Sequence, residues 1–132
     1  MTKKIGKKIW IFPDAYLPSK GSLYPSSSKS KVYWHESLCI INPTLVKIKL
    51  EINFYFENDK PIKGFIQSVG AERSLHLRLD KINIPNCGSL PREKPYSIIV
   101  KSDKNVVIQL SRLDTTSKYN SFMSVLGWGD DV

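Results

Sequence analysis

Residues 46–56 read VKIKLEINFYF, and no other stretch limits the possible folds as strongly. Val46, Ile48, Leu50, Ile52, Phe54 and Phe56 alternate with Lys47, Lys49, Glu51, Asn53 and Tyr55. A period of two places the apolar side chains on one face of an extended strand and the polar ones on the other. A helix would scatter both sets around its axis. One sheet cannot bury such a face alone, so a second layer is required.

The rest of the chain supplies candidates for that layer. Alternation and turn residues predict strands over 7–12, 32–42, 62–69, 73–79, 96–101 and 105–113. Residues 121–128 read as a further strand, against a competing helical stripe of Phe122, Met123 and Leu126. Pro13-Asp14 is expected to end the first strand, and Ser102-Asp103-Lys104 to be the tight turn of an antiparallel hairpin. Proline, serine and glycine mark loops over 15–31 and 80–95, and 129–132 reads as a flexible tail. The expectation is one all-β domain over 1–132, an antiparallel β-sandwich of jelly-roll type with seven or eight strands.

The net charge of +8 is unevenly placed. Lysines 3, 4, 7, 8, 20, 29 and 31 stand against Asp14 alone, so residues 1–31 carry +6 and the remainder +2. The basic segment 1–8 reads either as a solvated end or as a contact for an anionic surface or nucleic acid. With a nearly neutral body, only weak, non-specific nucleic-acid binding is expected. No apolar run is long enough to span a bilayer, and the N-terminus lacks the apolar region and cleavage site of a secretory signal. Cys39 and Cys87 are too few for a disulfide framework. These features together predict a cytoplasmic location. His35 and His76 have no partners at metal-ligand spacing, and no cofactor motif is present, so neither a metal nor a cofactor is expected.

Parity brings a few charged residues together. Val106, Ile108 and Leu110 share a face that continues into Arg112 and Asp114, while Trp34 and Glu36 share one with Leu38 and Ile40. Glu36, Arg112 and Asp114 thus stand where apolar rows run out, and Arg112 is the natural partner of either carboxylate. Local salt bridging and ligand binding both remain open readings. Arg73, His76 and Arg78 form either a polar outer face or a grip on an anion or hydroxyl-rich ligand. Trp10, Tyr16, Trp34 and Tyr55 are core residues or stacking surfaces for a sugar. There is no glycine-rich phosphate loop or nucleophile elbow. A Glu36–Asp114 pair for glycoside hydrolysis is outweighed by this absence, and a non-enzymatic protein is expected.

A wider set of residues carries a family resemblance. In order they are Gly6 and Trp10, Tyr16-Leu17-Pro18, His35-Glu36 and Cys39-Ile40-Ile41-Asn42. Tyr55, Asp59, Pro61, Val69 to Arg73 by number 69–73, His76 and Arg78 follow. Tyr96-Ser97, Ser102 and 106–114 with Gln109, Arg112, Leu113 and Asp114 complete the set. Over about residues 6–114 the chain resembles the Anabaena sensory rhodopsin transducer family. The resemblance implies a jelly-roll sandwich that assembles as a homo-oligomer, with a tetramer expected. It also implies a small-molecule-binding domain, with sugars as proposed ligands. Carried over by position, the ligand-binding set is Trp10, His35, Glu36, Arg73, His76, Arg78, Arg112 and Asp114. The lysine- and serine-rich stretch 19–31 and the basic N-terminus depart from the family. The function expected is binding of a sugar-like small molecule in signal transduction. Docking on a membrane receptor such as a sensory rhodopsin, or weak DNA-binding regulation, are the rivals.

Overall fold

A computed structural model describes residues 4–19, 34–115 and 121–131. Most of the loop expected over 15–31, the first two residues of the strand expected over 32–42, and the extreme termini lie outside the described residues. Eight strands are formed: β1 (Lys7–Ala15), β2 (His35–Asn42), β3 (Ile48–Phe56), β4 (Ile62–Val69), β5 (Arg73–Arg78), β6 (Tyr96–Asp114), β7 (Ser121–Leu126) and β8 (Trp128–Asp130). Every pairing is antiparallel. No helix among the described residues is long and apolar enough to cross a membrane.

The strand expected at 46–56 follows its alternation from Ile48 to Phe54, whereas Val46, in the turn before it, is half exposed and Asn53, expected on the polar face, is buried. Ile48, Leu50, Ile52 and Phe54 are completely buried. It starts at Ile48 because the Val46 carbonyl is taken by the preceding turn, accepting from Asn42 Nδ2 at 2.8 Å and Thr44 Oγ1 at 3.0 Å.

The main correction concerns 96–113. No hairpin forms; β6 is one strand of 19 residues. Its first half pairs with β3 and β1, giving the order β4-β3-β6-β1-β8. Its second half lies between β2 and β7, with β5 beyond β2. The polar residues 102–105 mark the transfer between these two sheets. Lys7 pairs with Val106 but Ile9 pairs with Lys101, so one residue of β1 spans four of β6. The break signal was physically real, but it is a bend in a shared strand.

Pro13-Asp14 does not end β1 either. The register shifts between Phe12 and Ala15, and the proline sits in that irregularity, where its missing N–H costs no ladder bond. Residues 129 and 130, expected in a flexible tail, belong to β8 and pair with Trp10 and Ile9. Residues 121–126 are strand and not helix. The two sheets enclose one core, to which β1 gives Trp10 and Phe12, β2 Leu38 and Ile40, and β6 Ile98, Val100, Val106, Ile108 and Leu110. The result is an all-β sandwich that is not closed into a barrel.

Candidate functional site

The polar centre of the sandwich is Glu36. It follows Trp34 and precedes Leu38 on the inward face of β2, and its register partner on β6 is Arg112. Glu36 has no exposed surface, whereas the Arg112 side chain remains 21% exposed. Arg112 Nε and Nη2 both donate to Glu36 Oε2, at 3.0 and 2.7 Å. The other oxygen, Oε1, accepts from the Tyr96 hydroxyl at 3.0 Å and from the Tyr16 amide at 3.1 Å. The Leu79 amide donates to the Glu36 carbonyl at 2.9 Å, tying in the segment after β5. The Arg112 guanidinium lies 5.6 Å from the Trp34 ring centroid, within cation–π range.

Burial dominates the electrostatics. It raises the Glu36 carboxyl above its ordinary value of 4.5, against the opposing pull of Arg112, the Tyr16 amide and Tyr96. Burial also drives the Tyr96 phenol well above 10.0, helped by the charges of Glu36 and Asp80. Tyr96 is therefore a fixed neutral donor. Asp80 is held in turn by Arg78, whose Nε and Nη2 reach its two oxygens at 2.8 and 2.7 Å.

Of the residues expected from sequence, Glu36 and Arg112 are in direct contact, whereas Arg78 stands opposite Ser37 and so is out of phase with Glu36. Asp114 lies two residues beyond Arg112 and pairs with Ser121. His35 pairs with Leu113, one residue out of phase with Glu36, so it faces the other side of the sheet. His76 is opposite Cys39 and lines a shallow cleft of about 200 Å³ with Gln109 and Ser74. Arg73 is at the far end of β5, donating to the carbonyls of Ala71 and Glu72. Trp10 is in the core, its indole N–H shared between the Lys7 and Val106 carbonyls at 3.1 and 3.0 Å. Trp34, not Trp10, is the aromatic beside the arginine. Parity with Glu36 was the sign of it. Tyr96 belongs to the resemblance set, but its bond to Glu36 had no local signal, because that contact exists only across strands.

Family comparison agrees with this architecture. The sequence pattern described as "Anabaena sensory rhodopsin transducer" matches residues 5–129. The chain belongs to the Anabaena sensory rhodopsin transducer family. Within reach of this family, the crystal structure of Thermotoga maritima 1070 is 36% identical, with a TM-score of 0.78. That match covers 96% of this chain and 97% of the relative. The Anabaena sensory rhodopsin transducer itself is 21% identical with a TM-score of 0.64, over 81% of this chain and 97% of its own. At that identity the second likeness speaks for the fold alone. No curated protein matches the chain.

The far edge of the sandwich is apolar. Phe122, Met123, Val125, Leu126 and Trp128 are all exposed. Between β1 and β7–β8 lies an apolar cleft of about 350 Å³, walled by Phe12, Pro13, Met123, Val125 and Trp128. Thr115, at the end of β6, has a buried hydroxyl with no hydrogen-bond partner among the described residues.

Proposed function

We propose that this transducer-family protein is a cytoplasmic, non-enzymatic signalling domain that binds a small hydroxyl-rich ligand, sugar-like in character, beside Arg112. The observation that supports this is the asymmetry of the Glu36–Arg112 pair: a carboxylate with no exposure holds a guanidinium that still reaches the surface. Glu36 is already saturated with hydrogen bonds, so its role is to aim Arg112, while Trp34 backs the guanidinium plane. Direct ligand contact falls to Arg112, with Asp114 on the same strand face. The test is thermal unfolding against a panel of sugars, for wild type and Arg112→Lys. The lysine keeps the charge but loses the planar fork. Ligand at about 100 times its dissociation constant adds about 2.7 kcal/mol of stability. A shift in wild type that is lost in the variant supports the reading, and no shift with any sugar overturns it.

A second reading concerns assembly. The sequence of β7, SFMSVL, carries no charge, and all six residues are exposed. Edge strands in monomers are ordinarily guarded by lysine, proline or a bulge. An unguarded apolar edge fits a second copy of this chain, pairing β7 with its equivalent in a self-complementary contact. This gives the homo-oligomer, a tetramer if a further surface joins two such dimers. Val125→Lys should lower the mass measured by light scattering; a wild-type monomer would remove the proposal and leave the edge for a receptor.

A further inference from the structure

The basic N-terminus is held to the body at Gly6. This residue has φ of +84°, and a Cβ there would stand 2.1 Å from the Val106 carbonyl oxygen. Asn105 Nδ2 donates to the Gly6 carbonyl at 3.1 Å. The close approach sets Lys4 and Ile5 against the bend of β6, beside the turn between β2 and β3.

An open cleft of about 430 Å³ results, with Lys4, Lys8 and Lys104 around Pro43, Thr44 and Asn105. No carboxylate is among its lining residues. The neighbouring Lys7 is not part of it; its ammonium is engaged by Asp131 at 2.9 Å. Three lysines from two separate stretches of chain line one hollow, a concentration of positive charge that favours an anion there. The donors are lysines, compact point charges that grip phosphate oxygens without demanding a planar partner. No aromatic ring lines the cleft, so nothing there would stack a base. Lys104 is eight residues from Arg112 along β6, up to about 26 Å of strand, so the cleft is separate from the Glu36 cluster.

We propose that this cleft binds a phosphomonoester group, carried either by a soluble organophosphate or by a lipid headgroup. At neutral pH such a group bears between one and two negative charges and matches the lysine triad.

The test uses the full chain, titrated with glycerol 3-phosphate at low ionic strength while backbone and side-chain amide shifts are followed. A parallel arm measures sedimentation with phosphatidic-acid vesicles against phosphatidylcholine vesicles. Thr44 and Asn105 should shift saturably in the first arm, or the protein should co-sediment with the acidic vesicles only in the second. Saturation without vesicle binding assigns a soluble ligand; vesicle binding without saturation assigns a headgroup. In either arm Lys4→Gln/Lys8→Gln/Lys104→Gln should weaken binding at least tenfold, while the charge-matched Lys47→Gln/Lys60→Gln/Lys81→Gln should not. Equal loss in the two triple variants would reduce the effect to general charge and overturn the site, as would failure of both probes.

Discussion

Glu36 and Arg112 face each other across β2 and β6, and both nitrogens of Arg112 that reach the carboxylate donate to the single oxygen Oε2. The other oxygen is reserved for Tyr96 and the Tyr16 amide. Four donors from three residues, Tyr16 after β1 and Tyr96 and Arg112 at the two ends of β6, therefore converge on one side chain without surface exposure. The acid is locked and the base is left partly out, which is the geometry expected of a residue that positions another.

Removing the acid should be costly. Glu36→Ala leaves Arg112 and the Tyr96 hydroxyl without their partner, and breaking such a pair costs about 3–5 kcal/mol. Urea unfolding should show this loss. Glu36→Leu combined with Arg112→Met should cost less than the sum of the two single changes, since replacing both partners removes the orphaned charge. Strict additivity would show that the pair is not coupled.

Acid–base behaviour gives a second check. The folded state raises the Glu36 carboxyl above 4.5, so it binds this proton more readily than the unfolded chain does. The stability that follows is fully present below 4.5 and is lost as pH rises through the folded value. Carbon-13 titration of the Glu36 carboxyl should therefore place its midpoint above 4.5. A midpoint below that value would mean that Arg112 outweighs burial.

Two glycines share φ of +84° and separate strain from collision. At Gly64 a Cβ would meet nothing within 4 Å, whereas at Gly6 it would collide with the Val106 backbone. Gly64→Ala should cost about 1–2 kcal/mol for the left-handed conformation alone. Gly6→Ala should cost clearly more, and should release the Asn105 side-chain amide from its hydrogen bond, visible in its proton exchange rate. Equal losses at the two positions would mean that the N-terminus shifts freely to relieve the contact.

Asn42 closes the turn from β2 into β3. Its Nδ2 donates to the carbonyls of Val46, Val69 and Gly70 at 2.8, 3.2 and 2.8 Å, and its Oδ1 accepts from the Thr44 amide and hydroxyl at 3.0 and 2.7 Å. Asn42→Asp replaces the donor with a second acceptor facing three carbonyls in a fully buried site. Leaving a buried group unsatisfied costs about 1–3 kcal/mol, and a charged one more. Asn42→Asp should thus unfold at lower urea than Asn42→Ala, with the gap narrowing under acid as the aspartate gains a proton.

What the sequence determined by itself is the class of fold and the inward rows of β2, β3 and β6. Ile48, Leu50, Ile52 and Phe54 could share a face only in an extended chain, and the same local rule placed Glu36 and Arg112 at the ends of apolar rows. The tertiary structure decided the rest. Residues 102–105 look like a turn in one dimension, and only the partners on either side, β1 and β3 before the bend, β2 and β7 after it, keep β6 a single strand. Trp10 and Trp34 are equally plausible stacking surfaces until their neighbours are known. One indole is tied to core carbonyls and the other lies against a guanidinium. Tyr96 reaches Glu36 across 60 residues of chain and Arg112 across 76. Period and propensity act over a few residues, whereas hydrogen-bond partners and burial are set by which strands meet.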